Sequence, residues 1–282
     1  MNRKFALVPL LFISAIAYAN TAVSEINGKI DSAYGNLDST DAWINGGSFS
    51  APVAEAFGVQ LDALYADIGE DDFGGIGGHF FWRDNELGLV GLTAGGIWSN
   101  DIESYEISLE GEYYYGLLTF GAKAGYTAIE YDNPVPFIDT DEDGAFGLLY
   151  TTLYPLEDLS VLAGVEYRFD NTALRVDAEY AISGCGLSIF AQGLFANDNY
   201  EHGIVGLRYY FGSDKNLQER HRQDDPRNML KDILSGMFTY GAEYNERSKN
   251  YQSSIPGTAG SNFTGGSSSG FSGFSFGASS LN

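Results

Sequence analysis

Three histidines, one cysteine and a run of aspartates are the residues from which covalent or metal chemistry would have to be built. An acyl or peptide hydrolase needs a histidine beside a nucleophile, with a polar group to orient it. No His-x-Ser occurs: Phe80-Phe81 follow His79, and Gly203-Ile204 follow His202. His202 next to Glu201 is the one candidate for such a pair, and His79 reads as an interior residue. Asp139, Asp141, Asp143 and Gly144 resemble the first half of a calcium loop. Glycine falls at the sixth position, but the twelfth is Tyr150, where a bidentate Glu is required, so a solvated acidic loop is expected. Bridging of such acids by divalent ions at a surface is a variant of the same idea. Cys185 stands alone, which excludes an intrachain disulfide and a zinc spacing. The expectation is no catalytic residue, no metal site, no cofactor and no enzyme activity.

A second set of charges suggests transport instead. Glu106, Glu110, Lys123, Glu166, Arg168, Arg175 and Arg208 lie on alternating positions of apolar segments, so they share one side of the structure. Groups placed this way either line a wet channel and bias its selectivity, or pair across a closed interior and fill it. Their value depends on the elements that position them.

Those elements are strands. From Tyr105 to Tyr115 the odd positions are Tyr, Ile, Leu, Gly, Tyr and Tyr, while the even ones are Glu, Ser, Glu, Glu and Tyr. Leu118 to Thr127 repeats the alternation, and Gly116-Leu117 between them suits a II′ turn. Twelve such segments are predicted, near 25–36, 43–50, 56–68, 73–83, 86–98, 102–115, 118–130, 144–154, 159–169, 172–182, 186–196 and 200–211. Tight connectors at Asp84-Asn85, Gly116-Leu117 and Pro155 to Asp158 alternate with mostly longer ones, of which Tyr131 to Asp143 is the longest and Asp170-Asn171 a tight exception.

The composition fits a barrel in lipid. Tyr34, Tyr65, Tyr105, Tyr126 and Tyr167 would form one aromatic belt. Trp82, Tyr113, Tyr115, Tyr154, Tyr209 and Phe211 would form the other, with an aliphatic band between. A soluble sandwich or lipocalin-type barrel would expose a charged parity, whereas here the second parity is largely Gly, Ser and Thr. All six bases between Asn20 and Phe211 fall on the inward parity: Lys29, Arg83, Lys123, Arg168, Arg175 and Arg208. Inward acids include Asp62, Glu106, Glu110, Glu112, Glu166, Asp177 and Glu179. An Arg or Lys facing lipid at the midplane costs about 2–4 kcal/mol. The fold class is therefore all-β, a closed antiparallel transmembrane barrel of about twelve strands.

Three regions are expected. Residues 1–19 read as a signal peptide: Arg3-Lys4, an apolar run from Phe5 to Ile16, and Ala17-Tyr18-Ala19 as the cleavage site. Residues 20–212 are the barrel, with 31 acids against 6 bases. An acid excess of this size excludes a nucleic-acid partner. Residues 213–282 balance seven acids with seven bases and form an extension of short helices followed by a Gly/Ser/Phe-rich segment expected to be disordered. Lys215 to Arg222 is helical by pattern, and a second helix runs from Asp225-Pro226 through Leu234. Its stripe of Met229, Leu230, Ile233 and Leu234 suggests a helix lying on the barrel rim, or else one that binds a partner.

The last strand carries a resemblance. Val205, Leu207, Tyr209 and Phe211 alternate with Gly206, Arg208 and Tyr210 and end on an aromatic. This resembles the terminal strand through which the barrel-assembly machinery recognises Gram-negative outer-membrane proteins. The wider pattern resembles the porin-like β-barrel proteins as a broad class, although the chain continues past Phe211 where many porins stop. The resemblance implies an outer-membrane location, contact with lipid and lipopolysaccharide, and the barrel-assembly machinery as a partner. With an even strand number both barrel ends share a side, which the terminal strand and short turns make periplasmic. The tail is then periplasmic and free to meet a partner there.

Two functions follow from the interior charges. One is a channel for passive diffusion of small hydrophilic solutes, mildly cation-preferring. The other is a non-conducting structural or adhesive barrel whose tail binds a periplasmic partner. An outer-membrane enzyme comes third.

Overall fold

The computed structural model describes residues 21–38, 40–100, 102–131, 141–182, 184–196, 200–212, 215–224 and 226–254, with side chains through residue 241. The proposed signal peptide lies outside them. Twelve antiparallel strands close into a barrel: β1 (Asn27–Leu37), β2 (Thr40–Ala54), β3 (Phe57–Ile68), β4 (Asp71–Asp84), β5 (Gly88–Trp98) and β6 (Ile102–Tyr115) form the first half. β7 (Leu118–Tyr131), β8 (Glu142–Leu156), β9 (Leu159–Arg168), β10 (Asn171–Ile182), β11 (Leu187–Ala196) and β12 (Glu201–Phe211) complete it. Each strand pairs with its sequence neighbours, and β12 closes on β1 from Gly28↔Phe211 to Leu37↔His202. Closure leaves no unpaired edge, which a strand in hydrocarbon cannot tolerate. Two helices follow, α1 (Leu217–Gln223) and α2 (Met229–Ser254).

The period of two sorts side chains as expected. Ile30, Trp43, Leu61, Ile107, Leu109, Leu149 and Val205 are exposed on the outer face. Tyr34, Tyr65, Tyr105, Tyr126 and Tyr167 are exposed on the same face, as are Tyr113, Tyr115, Tyr209 and Phe211. Tyr154 is a correction. It points inward, is 2% exposed, and shares a hydrogen bond with His221 at 3.0 Å. Phe146, Leu148, Thr152 and Tyr154 are buried while Leu149 and Leu153 are exposed, so the unbroken alternation of β8 itself puts Tyr154 on the lumen side, and the β8–β9 register shifts only after Leu153.

Register tests the parity further. In β6–β7 Glu110 pairs with Lys123 and Tyr113 with Phe120, as the Gly116-Leu117 turn demands. Gly116 has φ +55°, the left-handed value a II′ turn needs at its first position. In β9–β10 a turn at Asp170-Asn171 would set Glu166 opposite Arg175. The observed turn is Phe169-Asp170, with φ +49° and +59°, and Glu166 pairs with Ala173. The slip is by two residues, so every side chain keeps its face, and Glu166 still reaches Arg175 diagonally at 3.3 Å. A phenylalanine pays strain at positive φ. The Phe169 ring is held by Tyr240 of α2, with centroids 5.1 Å apart.

The two rims differ less in loop length than the sequence suggests. Rim A carries the barrel ends and the turns after β2, β4, β6, β8 and β10. Rim B carries the connections after β1, β3, β5, β7, β9 and β11, of which only 132–141 is long.

The largest correction concerns the tail. α1 lies against rim A: Gln218 donates to the Gly116 carbonyl at 2.9 Å, and Arg222 to the Leu118 carbonyl at 2.8 Å. Asn216 and Glu219 form its capping box. α2 is no rim helix. Met229, Leu230, Ile233, Leu234, Met237, Phe238 and Tyr240 are all at most 4% exposed, packed inside the barrel. The i, i+3, i+4 stripe continues past Leu234, and the barrel wall surrounds it. Small residues permit this: a Cβ on Gly77 of β4 would meet Met229 Sδ at 2.9 Å, and one on Gly236 would meet Arg168 Cδ at 2.4 Å.

Candidate functional site

The interior has a polar zone and an apolar zone, both completed by α2. Strand alternation delivers every inward charge to the same face, and burial then forces each to find a partner. Glu106 of β6 receives Lys123 at 2.6 Å and Arg168 at 2.8 Å. Arg168 also binds Glu166 at 2.8 Å and Thr127 at 3.0 Å, and stacks 4.2 Å over Phe146. Glu166 binds Arg175, Arg175 binds Asp232 of α2, and Asp232 returns to Lys123 at 3.8 Å. Six charges of alternating sign thus close a ring. Five come from the wall and one from the helix.

Further pairs fix the base of α2. Lys231 binds Asp31 at 2.6 Å, and Arg227 binds Asp177 at 2.9 Å. Lys29 donates to the Pro226 carbonyl at 3.0 Å, and Asn228 to the Gly47 carbonyl at 3.2 Å. The Met229 amide donates to Asp62 at 2.9 Å, so a wall carboxylate caps the helix N-terminus. His79 sits between Asp62 at 3.0 Å and Glu110 at 2.9 Å. Arg208 bridges Asp31 at 3.2 Å and Glu179.

All seven of Glu106, Glu110, Lys123, Glu166, Arg168, Arg175 and Arg208 face the lumen. Six of them join ion pairs with Lys, Arg, Asp or Glu, while Glu110 joins His79 rather than its register partner Lys123. Sequence reasoning missed Asp31, Arg227, Lys231 and Asp232. Asp31 shares the parity of Lys29, a signal present in the strand. The Lys231-Asp232 pair stood inside an apolar helix stripe, where an ion pair to an enclosing wall is the economical explanation. Nothing in the chain marked which wall charges they would meet.

The other chemical candidates separate. His202 points inward beside Tyr200 at 3.3 Å, while Glu201 is exposed on the outer parity, so they form no pair. Asp139 lies outside the described residues. Asp143 and Gly144 lie in β8 opposite Ala128 and Thr127. Asp141 accepts the Tyr131 amide at 3.0 Å. Among the described residues no group of three or more His, Cys, Asp or Glu is placed to hold a metal ion.

Towards rim B the wall turns apolar. Leu37, Ile44, Ile68, Phe73, Ile97, Ile129, Leu194 and Ile204 pack on the α2 stripe, and Phe73 meets Phe238 edge-on at 5.7 Å. Cavities of about 90 Å³ and 20 Å³ flank the helix. The larger is lined by Glu112, Tyr150, Asp177, Arg227 and Asp232 among others.

No protein-family model matches the chain, and neither does any curated protein sequence. Solved structures do. The KdgM porin in complex with disordered oligogalacturonate is 13% identical, with a TM-score of 0.51 over 65% of this chain and 99% of the porin. The NanC porin is 9% identical, with a TM-score of 0.51 over 66% of this chain and 100% of the porin. At such identity the likeness is one of fold: the chain has the closed twelve-stranded architecture of outer-membrane barrels.

Proposed function

We propose that this protein is an outer-membrane channel of the porin type that holds itself closed with its own C-terminal helix. The carrying observation is the ring of six charges, in which Asp232 of α2 supplies the third anion. Without it the wall presents Lys123, Arg168 and Arg175 to Glu106 and Glu166, one cation in excess. Charges in a lumen that opens to water need no such match. A matched, buried ring describes a resting closed state.

The open channel passes small hydrophilic solutes and ions by diffusion, with a modest cation preference. Asp31 joins the seven interior acids, against six interior bases. Acids also crowd rim B, among them Asp38, Asp41, Asp67, Glu70 and Asp72. They raise local cation concentration within about a Debye length, roughly 8–10 Å, and salt weakens the effect. The barrel ends and rim A face the periplasm, and rim B faces outward. The terminal strand ending at Phe211 meets the barrel-assembly machinery, and the outer belts meet lipid and lipopolysaccharide.

Planar-bilayer recording tests this. The full chain carrying Ile233→Asp and Leu234→Asp should conduct steadily with cations favoured, while the wild type stays mostly closed. A variant that folds, shown by heat-modifiable migration, yet never conducts would overturn the channel and leave a structural anchor.

A further inference from the structure

We infer that the barrel carries its own C-terminus through its lumen and presents the residues after Ser254 on the outer face of the membrane. This departs from a periplasmic tail. It rests on the rim assignment above but not on conduction.

The direction of α2 is fixed by contacts at both ends. α1 and Pro226 lie at rim A, against Gly116, Leu118 and Lys29. Met229 meets Asp62, which lies six residues before the end of β3 at rim B. At about 3.3 Å per residue and a tilt near 40°, Asp62 lies roughly 15 Å below that rim. The eleven helical rises from Met229 to Tyr240 climb about 16 Å. The two lengths agree with the ring contact between Tyr240 and Phe169, a residue of the β9–β10 turn at rim B. α2 continues to Ser254, fourteen residues past Tyr240, or about 21 Å of further helix. The chain therefore enters at rim A and leaves at rim B, with wall on every side between.

The sequence suits passage. Glu243, Glu246, Arg247 and Lys249 must cross the lumen, but residues 250–282 hold no charged side chain and are rich in Gly, Ser and Phe. A charge-free stretch passes a charged lumen without stranding an ion. The charges that fix the helix, Arg227, Lys231 and Asp232, all come before it. A tail that threads first and a base that locks last is the order such a sequence permits.

Cys185 provides an internal marker, being exposed in the β10–β11 turn at rim A. The test uses a bulky, membrane-impermeant maleimide on intact cells. The native chain should label at Cys185 only after the outer membrane is permeabilised. In a Cys185→Ser background, Asn282→Cys should label on intact cells to the same extent as Thr140→Cys in the long rim-B loop. If Thr140→Cys labels and Asn282→Cys needs permeabilisation, the tail stays inside and display is wrong. If Cys185 labels on intact cells while Thr140→Cys does not, the rims are reversed and display again fails, whatever the conductance. A Phe73→Cys, Phe238→Cys disulfide formed in cells would support threading. Free thiols at both positions, in a barrel that migrates as folded, would overturn it.

Discussion

Towards rim A and through its middle the barrel meets α2 with ions, and towards rim B it meets the same helix with hydrocarbon. The ionic contacts are Arg227–Asp177, Lys231–Asp31 and the ring through Asp232. The apolar ones gather Leu37, Ile44, Ile68, Phe73, Ile97 and Ile129 around Ile233, Leu234, Met237 and Phe238. The two zones do different work. Apolar burial contributes about 25 cal/mol per Å² and is indifferent to small slides of the helix. Buried ion pairs return little net energy but are intolerant of a missing partner. The hydrocarbon end therefore supplies adhesion, and the ionic end supplies register along the lumen axis.

The comparison breaks most readily at the ring. Arg175→Met leaves Glu166 and Asp232 buried without their shared cation, and should destabilise the docked state by about 3–5 kcal/mol. Urea titration in lipid vesicles would show it as an early, separate transition. If the loss matches that of an exposed pair, the ring is wetter than its geometry implies.

At the apolar end Ile233→Ala removes methylenes from an enclosed site and should cost about 2–5 kcal/mol. The same titration reads it, and the loss should be insensitive to salt. A combined loss with Arg175→Met equal to the sum would show that the two zones act independently.

Smaller effects sharpen the boundary. Asp62→Asn weakens the cap on Met229 and leaves His79 with one carboxylate partner, for about 1–3 kcal/mol. Hydrogen exchange at the α2 N-terminus should rise while the stripe around Ile233 stays protected. Arg227→Gln breaks a pair whose arginine side chain is 30% exposed, and should cost about 0–1 kcal/mol. A loss that vanishes at high salt would place the edge of the buried zone between residues 227 and 231.

Much of this molecule was decided by local rules. Alternation in segments such as Tyr105–Tyr115 set twelve strands, their inward and outward faces and the β6–β7 register, because a strand's side chains alternate whatever surrounds it. That same parity put all seven interior charges named from sequence inside the lumen. The β9–β10 turn was not legible, since Asp170-Asn171 has the better turn chemistry and Phe169 takes its place only where Tyr240 can hold its ring. Nor was the path of α2. An apolar stripe states that a helix must bury one face, but not against what. Only closure of the barrel made an interior wide enough for a helix and lined with Lys123 and Arg175 for Asp232 to meet. Pairings across so many residues of sequence depend on the shape of the enclosure, and that shape exists only once β12 has found β1.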